Sequence, residues 1–388
     1  MKNNIDSSFL NLIYILYYSI NLEEKIDSNV IKEFDFKSIY KIAKSHSVLA
    51  CVYPAIKDSK IDANIIKTFE QAYNSNLRKT MLFDVEFSSI KDEMVKREIY
   101  YTPLKGINIK TMYPLVGTRE FADFDILFDP KKAKEVKEIF INRGYKVEGY
   151  GTSHHDAYHK EPFFNFEMHR FLFDPIGNTQ LFEKYYKNIE TKLIEVAPYS
   201  YKLKDEDDFI YFLCHAYKHY SRGGNGIRFL LDLYIYITHK KLDFNYILTE
   251  LRILKICGWY LDIETLVRKL FSIPFNQTQV ALTENEENIL SYILNSGTYG
   301  TLKNGVYSVL NSLNGGEEGK VRKWSKFRYM VSRICLPRKQ IIMTHPFIGK
   351  TIIFIPFIWI GRIFKALFNK KSHQNMKNEM KYIKQFGK

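Results

Sequence analysis

The sequence predicts an α+β protein, a small mixed sheet set between mostly helical N- and C-terminal regions, and three observations predict it. Before Glu98 no segment alternates with the period of a strand, whereas apolar residues recur at helical spacing. Between residues 98 and 203, short β-branched and aromatic segments alternate with period two around a helical stretch. From about residue 204 the helical period returns. With 46% hydrophobic and 26% charged residues in a chain of 388, the composition excludes a disordered or collagenous protein.

The elements follow in order. In an N-terminal helical region, 1–97, the segment 35–57 carries helix-period apolar positions, and Ile66, Phe69, Tyr73 and Leu77 form the stripe of the next helix. The core, 98–203, opens with a strand at 99–104 (IYYTPL) that ends at Lys105-Gly106, and 107–113 forms a short helix before Pro114. Residues 121–128 (FADFDILF) place Phe124, Ile126 and Phe128 on one strand face and Asp123 and Asp125 on the other. Asp129-Pro130 opens a helix that runs through Arg143 and stops at Gly144. Next, 145–150 reads as a strand, and 163–171 (FFNFEMHRF) sets Phe164, Phe166 and Met168 opposite Asn165, Glu167 and His169. His154 and His155 read as loop residues. A helical domain, 204–296, begins with a helix capped by Asp205 and continues with helices near 226–239, 243–256 and 284–295. Residues 297–320, rich in Gly, Asn and Ser, read as a linker into a basic and apolar tail, so that 297–388 forms the last region.

Charge is unevenly placed. The last 69 residues hold 17 Lys and Arg against Glu379 alone, a net +16; since the whole chain carries +14, residues 1–319 carry −2. A near-neutral body counts against nucleic acid as a partner. Within the tail, 351–361 (TIIFIPFIWIG) is an apolar run containing Pro356, shorter than the roughly 18–20 residues a spanning helix needs. Two readings stand: residues 320–388 lie on an anionic membrane surface, or the run packs as a buried helix with solvated basic flanks. Cys51, Cys214, Cys257 and Cys335 form no CxxC pair, so neither a disulfide framework nor a cysteine zinc site is expected. The N-terminal apolar run has only Lys2 as a basic flank and no small-residue cleavage site, so no signal peptide is read. A reducing cytoplasmic location follows, peripheral on the inner face of the membrane under the first reading of the tail.

The chemistry-bearing residues lie in the core. Two carboxylates at i and i+2 on one strand face, joined by a third from a neighbouring strand, suit a hard divalent cation that must also bind phosphates. Asp123 and Asp125 supply the pair and Glu167 the third. A glycine at a strand-to-helix turn lets backbone N–H groups approach phosphate, and Gly106 occupies such a turn beside the point charge of Lys105. His169 projects with Glu167 and reads as a residue that orients this carboxylate or contacts the acceptor, or as a hydrogen-bonded structural histidine. His215 and His219, at i and i+4 without a third zinc ligand, read as lining an acceptor pocket.

Together, PLKGINIKTMYPLVGTREFADFDILF, the helix and strand after it, and FNFEMHRF resemble the bacterial "uncharacterised nucleotidyltransferase" family. The resemblance rests on the LKG turn, the helix ending in Tyr113-Pro114, Arg119 four residues before Asp123, the DxD strand and the carboxylate-x-His strand. It extends through SHSVLACVYPAI, LCHAYKHY, FLLDL and PFIWIGR. It implies a polymerase-β-like fold and a Mg²⁺- (or Mn²⁺-) dependent enzyme that moves a nucleoside monophosphate from an NTP to a hydroxyl of an acceptor, a cell-surface glycan precursor or other small molecule. It also implies metal ligands and catalytic residues at Asp123, Asp125 and Glu167, phosphate contacts at Lys105 and Gly106, and Arg119 either on the triphosphate or bracing the loop. Two departures stand out: Ile107 follows Gly106 where the wider superfamily has Ser, and Glu167 stands where many relatives carry Asp. The rivals are a metal-dependent glycosyltransferase using its DxD on a nucleotide sugar, which a nucleotide-binding strand well before Asp123 would signal, and a non-catalytic binding protein that keeps the fold.

Overall fold

In the computed structural model, which describes residues 6–175, 179–274, 281–298, 300–313, 323–344 and 352–386, the chain before residue 98 is helical. It forms α1 (Ser7–Ile20), α2 (Ser28–Ile31), α3 (Phe36–Ser45), α4 (Leu49–Ile56) and the long α5 (Ala63–Lys96). Asp6, Asp35 and Asp62 start α1, α3 and α5, their carboxylates accepting from backbone N–H groups that the first turn leaves unpaired.

The middle of the chain builds β1 (Tyr101–Pro103), α6 (Gly106–Ile109), β2 (Phe124–Phe128), α7 (Ala133–Asn142), β3 (Lys146–Glu148), β4 (His155–Lys160), β5 (Phe164–His169), α8 (Gln180–Tyr185), β6 (Leu193–Ala197) and β7 (Ser200–Leu203). The strands form one seven-stranded mixed sheet in the order β3-β4-β5-β2-β1-β7-β6. β2 lies at its centre, every residue buried, antiparallel to β1 and parallel to β5. The β6–β7 hairpin escapes sequence reading because β6 is an edge strand with little buried on either face, so no alternation marks it. His155 belongs to β4, which corrects its reading as a loop residue, while His154 lies in the loop just before the strand and is buried there.

One face of the sheet packs on α5 and α7: Phe83, Phe87, Ile90 and Met94 meet Phe124, Ile126, Phe128, Phe140 and Phe166. The other face joins a larger cluster through Leu104, Leu127 and Leu203. This cluster runs from Leu12, Ile13 and Leu16 of α1 into α9 (Asp205–Tyr220), α10 (Ile227–His239), α11 (Phe244–Ile253), α12 (Cys257–Phe271) and α13 (Glu284–Leu294). Helices remote in sequence, α1 and α9 to α13, thus share one core, and α9 is laid across the carboxylate face of β2. Its first turn holds Asp205, Glu206, Asp207 and Asp208 and its last Lys218 and His219, which matches the helix dipole. The sequence reading had no helix at 257–271, where no side chain caps the first turn.

The stretch read as a linker, 297–320, instead contains α14 (Leu302–Leu313), while 314–322 and 345–351 lie outside the described residues. Glycines within it cost helix propensity, and α14 forms because Val306 and Leu310 bury against Tyr329 and Ile383. α15 (Lys323–Ile334), α16 (Arg338–Thr344), α17 (Ile355–Phe368) and α18 (Lys370–Gln385) complete the chain. Among the described residues no helix is long and apolar enough to cross a membrane.

Candidate active site

The sheet's alternation aims the site. Phe124 and Ile126 point into the cluster under α5, so Asp125 must emerge on the α9 side, and Asp123, just before β2, follows it. The parallel register sets Glu167 of β5 opposite Asp125, and β4 places His155 opposite His169. Asp123, Asp125 and Glu167 line one wall of a cavity of about 390 Å³, and Lys218, His215, His219 and Arg228 of α9 and α10 line the facing wall.

Asp125 is the most constrained of the three carboxylates. Its Oδ1 accepts from Lys105 Nζ at 2.7 Å and from His169 Nε2 at 2.8 Å. Burial raises this carboxyl, but the Lys105 ammonium and the His169 bond outweigh it and hold it well below the usual carboxylate range. Burial drives the His169 ring down to about 3, so it is neutral and donates through Nε2, leaving a buried Nδ1 with no partner. Asp123 has no hydrogen-bond partner on its carboxylate among the described residues, and burial beside Asp125 pushes it up. Glu167 is raised to about 7, first by burial and then by Asp125 and Asp123. His155 and His169 lie 3.7 and 3.8 Å from its Oε2. Ligand atoms of Asp125, Glu167 and His169 fall within 4.8 Å of one another, as do those of His154, His155 and His169.

The basic residues expected at the phosphates are both in ion pairs. Lys105, at a left-handed φ of +47° ahead of α6, is held between Asp125 and His215 Nε2 at 3.0 Å. Arg119 makes a two-pronged pair with Asp232 of α10, both bonds 2.8 Å, and the Tyr113 hydroxyl donates to the same carboxylate at 2.8 Å. In this arrangement the guanidinium braces α10 against the α6 turn, and it also lines the cavity. Gly106 lies directly under it: a Cβ at that position would come within 2.8 Å of Arg119 Nη1. The glycine therefore admits a guanidinium at the edge of the cavity, and Ile107 turns into the core.

His215 and His219 face the cavity on successive turns of α9. Lys105 can only donate, so His215 Nε2 accepts, and His219 Nε2 lies 3.2 Å from the same atom. Burial lowers both rings, His219 to about 3, and keeps them neutral. His169, expected at the acceptor pocket, is 1% exposed behind Asp125 and is not among the residues lining the cavity.

Sequence reasoning missed several cavity residues. Lys218 completes an i, i+3, i+4 polar stripe with His215 and His219 on an otherwise buried helix, a pattern that was there to be read. Its Nζ has no ion-pair or hydrogen-bond partner among the described residues, and burial together with Lys105 and Arg222 lowers it to about 8. Asp232 is a lone carboxylate in an apolar run, FLLDL, which signals a buried partner. Arg228, bonded to Glu120 O at 3.0 Å, and His154, paired to Asp174 at 2.9 Å, carry no local signal.

No curated protein and no solved structure matches the chain significantly. A family model does: the pattern described as "uncharacterised nucleotidyltransferase" matches residues 32–272, from the N-terminal helices through β2, β5 and α9 to the end of α12. With the model spanning more than half of the 388 residues and every residue lining the carboxylate cavity except Thr298, the chain belongs to the uncharacterised nucleotidyltransferase family.

Proposed function

We propose that the chain transfers a nucleoside monophosphate from an NTP to a hydroxyl of a small acceptor, with Mg²⁺ or Mn²⁺ as cofactor, in the cavity between β2, β5 and α9. The observation that carries this reading is the opposition of three carboxylates to the Lys218 ammonium, which has no partner among the described residues, across about 390 Å³. The carboxylates fit a divalent cation: burial and then their mutual repulsion raise Asp123 and Glu167, while at Asp125 the Lys105 ammonium and the His169 bond outweigh burial. Asp123 and Asp125 would hold the ion, which supplies neutralisation of phosphate charge when bound.

The protein's own residues do the rest. Lys105 and His169 both bond Asp125 Oδ1, fixing the carboxylate and leaving Oδ2 for a ligand. Lys218, with Arg228 beside it on the cavity wall, meets the triphosphate, which gives the lysine the anionic partner it lacks. Glu167, near 7, is matched to taking the proton of the attacking hydroxyl or to completing the ligand set. Neutral His215 and His219 offer hydrogen bonds to the acceptor. Arg119 acts through Asp232, holding the α6 turn to α10. A net charge of −2 on residues 1–319 favours a small-molecule acceptor over nucleic acid.

Calorimetry with Mg²⁺ and nonhydrolysable analogues of the four NTPs, repeated on Asp123→Asn and Asp125→Asn, tests the reading. Each variant should stay folded and lose metal-dependent nucleotide binding. Unchanged binding in both sinks the metal assignment, and no binding of any NTP by the parent chain sinks the function.

A further inference from the structure

The last helices turn their apolar side chains outward. On α17, Phe357, Ile360, Ile363, Phe364, Leu367 and Phe368 are all exposed, Phe357 by 66% and Phe368 by 79%. Their spacing of three and four residues puts them on one face. The opposite face carries Ile355, which is buried, and Trp359 and Arg362, which bond the carbonyls of Leu336 and Arg333. The helix is inverted: its arginine faces the protein and its phenylalanines face out. Ile353 and Phe354, in the turn before it, continue the apolar face. α15 repeats the pattern with Trp324, Phe327, Val331 and Ile334.

We infer that the α17 face docks into the interface of an anionic lipid bilayer. An apolar stripe of this breadth on a water-soluble surface marks an interaction site, and charge selects the occupant. The last 69 residues carry +16, and their single acid, Glu379, is engaged by Arg333 at 2.6 Å. Lys370, Lys377, Lys381 and Lys384 of α18 are exposed. A second copy would set +16 against +16, whereas an anionic leaflet complements both the charge and the phenylalanines. At 14 residues α17 measures about 21 Å, short of the roughly 30 Å hydrocarbon core, so it lies along the surface. The inference is independent of the chemistry at Asp123 and Asp125.

The full chain should float with phosphatidylcholine vesicles that contain phosphatidylglycerol, float little with phosphatidylcholine alone, and detach as salt rises. The triple variant Phe357→Ser, Phe364→Ser, Phe368→Ser should bind at least about tenfold more weakly with an unchanged thermal melt. Should that variant unfold, the single change Phe368→Glu, at the most exposed position of the stripe, should give the same loss of flotation. A parent chain that stays in solution with anionic vesicles overturns the inference, as do variants that float undiminished. So does a parent dimer that the triple variant converts to monomers while neither form floats, because the stripe then serves self-association.

Discussion

Phe166 and Phe364 are the same side chain in opposite circumstances. Phe166 is fully buried in β5, ringed by Phe83, Phe124, Phe140 and Tyr145, whereas Phe364 is 56% exposed on α17 and touches mainly Phe368 of its own helix. Charges divide in the same way. In the body, Arg119 and Asp232 are buried as a pair; in the last helices, basic residues stand in solvent with one acid among them. The body gains its stability by enclosing apolar surface and pairing what it encloses. The C-terminal helices, with Val306, Leu310, Tyr329 and Ile383 as their buried cluster, hold much of their apolar surface ready for something else.

The largest expected effect sharpens the body's side of this contrast. Arg119→Met strands the Asp232 carboxylate in a buried site with only the Tyr113 hydroxyl, and should cost about 3–5 kcal/mol in a denaturant titration. A cost under about 1 kcal/mol would mean that water reaches the pair. Next in size is a body residue whose loss should spare the fold. Glu167→Gln is expected to slow turnover at least about a hundredfold, roughly 2.7 kcal/mol in barrier, with NTP affinity within a few-fold and an unchanged melt. A fall in affinity at full rate would reassign it to substrate positioning.

Asp208 lets pH probe the enclosed part of the body. Burial raises its carboxyl to about 6 although the Tyr236 hydroxyl at 2.8 Å and the Asn108 amide donate to it. The folded protein therefore holds this proton more tightly than the unfolded chain, and stability falls as pH rises from about 4 through about 6. Asp208→Asn keeps an acceptor for Tyr236 and removes the charge, so it should add about 2 kcal/mol at pH 7 and nothing at pH 4. A gain that does not change with pH would show that the carboxyl titrates normally. The smallest effect belongs to the tail: Phe364→Ser should move stability by no more than about 0.5 kcal/mol. A loss of several kcal/mol there would erase the contrast, since it would require the stripe to be packed.

Much of the site was legible. Alternation in 121–128 and 163–171 is enforced by burial of Phe124, Ile126, Phe166 and Met168, and any strand that buries those must turn Asp125 and Glu167 the other way. What stayed illegible was which partner each polar group meets. Lys105 reads as a phosphate contact and Arg119 as a phosphate contact or a brace, and the pairing of each with Asp125 and Asp232 depends on contacts 20 and 113 residues away. Nor does anything near Gly106 in the sequence show that Arg119 fills the space its missing Cβ leaves.

The sequence by itself determined the α+β class, the membership of Asp123, Asp125 and Glu167 in one constellation, and the segregation of charge into the last 69 residues, because periodicity and composition are local and survive in the unfolded chain. Only the tertiary structure decided that Lys218 has no partner in the cavity among the described residues, that His169 bonds Asp125 and stays out of the cavity lining, and that the α17 stripe faces outward. Each depends on which distant side chain arrives first at a shared space, and the packing of α9 and α10 over the sheet, and of α15 and α18 against α17, settles that competition.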